Sequence, residues 1–88
     1  MKNNYRKAFT ALKKIGAPVI KGGDNGEDTF RISGEDNITE IWADFYEEYT
    51  SHSDNFLFGV NNKINNILDE QGLYAEWINP GVLGVWES

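Results

Sequence analysis

Apolar residues fall at helical spacing in three stretches of this chain, and four shorter runs carry the marks of strands. Tyr5, Ala8, Phe9, Leu12 and Ile15 make one stripe, which predicts a helix over residues 4–15 closed by Gly16 at its C-terminal cap. Pro18 bars its continuation. Val19–Lys21 reads as a short strand. Gly22-Gly23-Asp24-Asn25-Gly26 is dense in residues that tolerate positive φ, and Thr29–Ser33 alternates polar with apolar, so residues 19–33 predict a hairpin. Asn37 followed by Glu40 approximates a capping box, and Ile38, Ile41, Trp42, Phe45 and Tyr49 gather on one side of the helix it would open. Val60, Ile64, Ile67 and Leu68 predict a third helix that stops at Gly72. Its positions expected to be exposed are mostly asparagine (Asn61, Asn62, Asn65 and Asn66), a poor helix former because its amide competes for backbone groups. That surface is left to capping, to contact or to lax composition. Leu73–Ile78 and Val82–Trp86 make a second hairpin about Asn79-Pro80-Gly81, where Pro-Gly suits the centre of a type II turn.

The predicted fold is α+β, a four-stranded and mainly antiparallel sheet with three helices, in the order α-β-β-α-α-β-β and in one compact domain over residues 1–88. A helix with no strand before it argues against a doubly wound parallel sheet. Glu87-Ser88 follows the last strand directly, which places that strand at a sheet edge as an expectation. There is no cysteine, so packing alone must hold the core. Trp42, Trp77, Trp86, five Phe and four Tyr suit that task. Each such side chain contributes roughly 1.5–3 kcal/mol when fully buried. This aromatic content excludes a disordered acidic tail. Trp77 is expected in the core, whereas Tyr74 and Trp86 on the second hairpin are candidate interface anchors.

Charge then changes the picture. Residues 1–21 carry Lys2, Arg6, Lys7, Lys13, Lys14 and Lys21 without an acid, for a segment charge of +6. Residues 22–54 sum to −9 and residues 55–88 to −3, which gives the net −6. On the second predicted helix Glu40, Asp44, Glu47 and Glu48 share one face, joined by Glu35 and Asp36 before its start. At about 1.5 Å rise per residue the row spans on the order of 20 Å. Two readings compete for it: an ordinary solvated face, or a carboxylate track that imitates phosphates and docks in a basic groove. Like charges at i,i+4 oppose helix stability, and stability alone would have interleaved lysines. The basic face of the first helix (Arg6, Lys7, Lys13, Lys14) is balanced within the molecule, meets the acidic face of a second copy, or touches an acidic partner. No aromatic interleaves its lysines, so a single-strand stacking platform is not indicated.

Other chemistry is sparse. Asp24-Asn25-Gly26-Glu27-Asp28 fails the calcium-loop spacing, because the third position is Gly26. Ser51-His52-Ser53-Asp54 sets hydroxyl, imidazole and carboxylate side by side, but sequence neighbours usually point apart and a loop is the better reading. Gly22-Gly23 and Gly81–Gly84 match no phosphate-binding fingerprint. No catalytic residue, cofactor or metal site is therefore expected. No run is long enough to span a bilayer, and MKNNYRKAF lacks the apolar segment of a secretory signal, so the expected location is the cytoplasm of a bacterial host. Net acidity argues against direct binding of nucleic acid or membrane.

A short, acidic, cysteine-free and aromatic-rich chain, with the run Ile67-Leu68-Asp69-Glu70-Gln71-Gly72-Leu73-Tyr74-Ala75-Glu76-Trp77-Ile78-Asn79-Pro80-Gly81, resembles in type the small proteins of bacteriophages and mobile elements. The resemblance transfers no residue. It implies a non-enzymatic inhibitor of the anti-restriction or anti-CRISPR kind, a nucleic-acid mimic that occludes a basic site on a host protein. The expected partner-binding residues are Glu35, Asp36, Glu40, Asp44, Glu47, Glu48, Tyr74 and Trp86. The alternative is a self-associating accessory protein in which the basic helix of one copy meets the acidic helix of another.

Overall fold

The computed structural model describes residues 2–23, 26–37, 40–46 and 54–88. The N-terminal stripe forms α1 (Asn3–Lys14), burying Tyr5, Ala8 and Leu12. Its end is a Schellman motif. Gly16 adopts φ +88°, its N–H bonds Lys13 O at 3.1 Å, and the Ala17 N–H bonds Leu12 O at 3.0 Å. Leu12 and Ala17, the hydrophobic pair that accompanies such a cap, both sit in the core.

Strands β1 (Val19–Gly23) and β2 (Gly26–Ser33) form the expected hairpin, with Val19 opposite Ile32 and Lys21 opposite Phe30. Then the chain departs from expectation. Residues 40–46 are not helical, and the remainder of the expected second helix lies outside the described residues. The Asn37 side chain does not cap a helix. Its Oδ1 accepts the N–H groups of Trp42 (2.9 Å) and Ala43 (3.4 Å), while its Nδ2 donates to Ala43 O at 3.0 Å. The amide thus closes a loop. Backbone that a helix would have used internally goes instead to a neighbouring strand: Asn61 N–H bonds Trp42 O, Asp44 N–H bonds Gly59 O, and Ala43 bridges Val60. Trp42 and Ala43 reach the core by this route.

That neighbour belongs to a small hairpin of β3 (Phe56–Leu57) and β4 (Val60–Asn61). Its two turn residues, Phe58 and Gly59, have φ of 52° and 76°, the signature of a type I′ turn. Helix α2 (Asn62–Glu70) follows, with Asn61 as N-cap accepting the Lys63 N–H at 2.9 Å. The described residues therefore hold two helices, not three, in the order α-β-β-β-β-α-β-β.

The last hairpin pairs β5 (Leu73–Asn79) with β6 (Val82–Glu87). Gly81 lacks the positive φ that a type II turn requires. The Asn79 side chain makes the turn instead, accepting the Gly81 N–H at 2.9 Å beside a register shift at Ile78. The antiparallel sheet runs β1-β2-β6-β5, so the last strand is interior and β5 is the edge, contrary to expectation. Both helices cover one face, where Phe30, Ile32, Leu83 and Val85 meet Leu12, Ile64 and Leu68 in one core. Tyr5 and Phe9 stand edge-on to Phe30 at 6.4 and 5.4 Å between ring centroids.

Candidate protein-binding surface

The expected site residues do not form one row. Glu47 and Glu48 lie outside the described residues, as do Ser51, His52, Ser53, Asp24 and Asn25. Glu40 is committed within the molecule: it pairs with Lys63 Nζ at 3.1 Å and accepts from Asn61 Nδ2 at 3.3 Å. Glu35 and Asp36 are exposed where the chain leaves β2, and the Glu35 carboxylate lies close over Gly81. Glu35 and Asp44 do come together, on the wall of a cleft of about 260 Å³. Phe45, Tyr46 and Pro80 are among the residues that share that wall. Because residues 40–46 form a loop, the alternative of helix-to-helix self-association loses its acidic helix over these residues.

Tyr74 and Trp86 are brought together as register partners, with ring centroids 6.2 Å apart. They lie on the sheet face away from the helices. There Trp86 lies flat over Gly84, so closely that a Cβ at Gly84 would sit 2.2 Å from the ring. Tyr74 and Asn79 occupy opposite ends of β5, about 17 Å apart at 3.4 Å per residue. The Tyr74–Trp86 pair and the acidic cleft are therefore two separate surfaces.

Between them runs a set of aromatics that sequence reasoning missed. Phe45 stands edge-on to Tyr46 at 5.1 Å and to Trp77 at 5.3 Å. Trp77 packs against Gly34, where a Cβ would come within 2.6 Å of the ring, and donates its indole N–H to Phe58 O at 2.9 Å. The outer members are exposed: Tyr46 by 71%, Leu57 by 56% and Phe58 by 80%. Large exposed apolar side chains in one band mark an interaction surface. The spacing around Ile41 and Trp42 placed Phe45 on a buried helix stripe. For Phe58 the available signal was Gly59, a turn residue within an apolar run.

Elsewhere the electrostatics are local. Lys2 Nζ meets Glu87 Oε1 at 2.7 Å, and this hydrogen bond holds the ammonium above its ordinary pKa. Burial, with Glu87 nearby, raises the Tyr5 phenol. Among the described residues no three His, Cys, Asp or Glu side chains converge as a metal site would require. No described helix is long and apolar enough to cross a membrane. No protein-family model, no curated protein and no solved structure matches the chain.

Proposed function

We propose that this is a non-enzymatic acidic binding protein that occludes a basic, nucleic-acid-handling site on a partner protein. The observation that carries this reading is the cleft where Glu35 and Asp44 stand beside the exposed rings of Phe45 and Tyr46, with Asp36 close by in the chain. Exposed aromatics supply apolar area at small entropic cost and anchor many interfaces. Carboxylates around them steer a cationic surface into place and make association salt-sensitive. The likeness to phage and mobile-element proteins makes a bacterial nuclease the first partner to seek.

The test is capture from bacterial lysate at low salt, elution with a salt step, and identification by mass spectrometry. The double variant Glu35→Lys/Asp36→Lys changes two exposed side chains. It is expected to keep its melting temperature and to lose the partner. Equal capture by the wild type and the variant would remove the acidic cleft from the mechanism.

A further inference from the structure

The bonds of the sheet identify which backbone groups β5 leaves unused. Ser88 N–H bonds Gly72 O at 2.9 Å, and hydrogen-bonded pairs then recur every second residue, at Tyr74 with Trp86 and Glu76 with Gly84. On the other side of β6, Gly34 N–H bonds Gly81 O, which sets the β2–β6 bonds in the complementary phase. Leu73, Ala75 and Trp77 therefore direct their N–H and C=O groups away from the sheet. No described strand pairs with them.

A groove of about 460 Å³ runs along this edge. Four consecutive β5 residues, 74–77, line it, although their side chains alternate between the two faces of the sheet. Only a void at the rim of a strand touches both sets. Leu57, Phe58 and Val60 form the apolar opposite wall. A second hollow of about 340 Å³ shares Leu57, Asn65 and Tyr74 with it and continues along the asparagine face of α2. Asn65 uses its Nδ2 on Val60 O and Asn62 Oδ1. Its carbonyl oxygen has no partner among the described residues. The charged side chains lining the two hollows are Glu76 and Asp69, both acids.

The two sheet edges differ. The β1 edge follows Pro18, carries Lys21 and is broken by a register shift after it, three devices that discourage pairing. From Leu73 to Trp77 β5 carries one charge, Glu76, and has neither a proline nor a register shift.

We infer that the β5 edge accepts an extended peptide segment of a partner protein as a fifth strand, with an apolar side chain seated between Leu57, Phe58 and Trp77 and lysine or arginine flanking it. This rests on the protein-binding reading above and supplies its mode: main-chain bonds to Leu73, Ala75 and Trp77 give affinity, and the pocket gives specificity. The acidic lining selects a cationic segment. It also disfavours a second copy of this chain, whose net charge is −6.

The test is selection from a displayed library of random linear dodecapeptides. Peptides that alternate apolar residues with Lys or Arg are expected to enrich. Ala75→Pro removes one outward N–H at a position type where edge strands tolerate proline, and is expected to weaken the selected peptides by about tenfold or more. Should Ala75→Pro fail to fold, the surface variant Asp69→Lys/Glu76→Lys decides, because it is expected to turn the enriched peptides acidic. The inference is overturned if nothing enriches, if folded Ala75→Pro binds the same peptides equally, or if the charge-reversed groove enriches the same sequences. A concentration-dependent dimer abolished by Ala75→Pro, without peptide binding, would overturn it in favour of self-pairing. Glu35 and Asp36 lie outside this groove, so failure here and failure of the acidic cleft are read separately.

Discussion

Trp77 donates its indole N–H to the main-chain carbonyl oxygen of Phe58 at 2.9 Å, and this bond ties the edge of the sheet to the tip of the small hairpin. Trp77→Phe keeps a ring in place and removes the donor. It is expected to lower stability by about 1 kcal/mol. Urea unfolding measures the loss, and hydrogen exchange of the amides in residues 57–60 locates it. Unchanged protection in those amides would show that other contacts hold the hairpin.

Gly84 is required by its neighbour and not by its own backbone, since its φ lies outside the left-handed region. Gly84→Ala forces the Trp86 ring off the sheet, at a cost of about 1–3 kcal/mol in the manner of other overpacked sites. A red shift in tryptophan emission accompanies the loss. Adding Trp86→Val, which removes the clash, is expected to recover part of it. If Gly84→Ala melts like the wild type, the ring does not lie on the strand.

Asn61 is buried and does three jobs: it caps α2 and donates to both Glu40 and Ile41 O. Asn61→Ala is expected to cost about 1–3 kcal/mol, from the lost cap and the orphaned buried groups. Asn66→Ala, at an exposed position, is expected to stay within about 0.5 kcal/mol of wild type. Thermal melts of the two variants separate the structural asparagine from the surface one.

Where local chemistry and tertiary demand agree, the sequence was legible. The α1 stripe ends in the cap that Gly16 announced, and both sheet hairpins occupy the predicted stretches. Asn37 shows why the middle was not. An Asn with a Glu three residues on suits a helix start, yet the same amide closes a loop when Trp42 and Ala43 have a strand to pair with. That strand is two residues long and carries no periodicity of its own. The site was harder still. Tyr74 and Trp86 follow from hairpin register. The band joining Phe45, Trp77 and Phe58 depends on contacts between distant segments that no local pattern encodes.

The raised pKa values of Lys2 and Tyr5 fix a pH dependence. Each group holds its proton more tightly in the folded protein. Their stabilisation is complete below the unfolded-state values near about 10 and is lost as pH rises through the higher folded-state values. Stability measured by urea unfolding is therefore expected to decline above about pH 10. The decline is expected to be shallower in Lys2→Met/Tyr5→Phe, and identical slopes would remove these two groups as its cause.

Phe58 sits at the hairpin tip with φ 52° and most of its ring in water. A left-handed conformation costs an ordinary residue about 1–2 kcal/mol, and an asparagine or glycine there escapes most of that cost. Phe58→Asn is thus expected to raise the melting temperature while emptying one wall of the groove. A lineage selected for heat resistance would discard this phenylalanine early, and one selected for holding a partner would keep it to the last. The two pressures take opposite signs at a single codon, which makes it the place where a stability screen and a binding screen disagree.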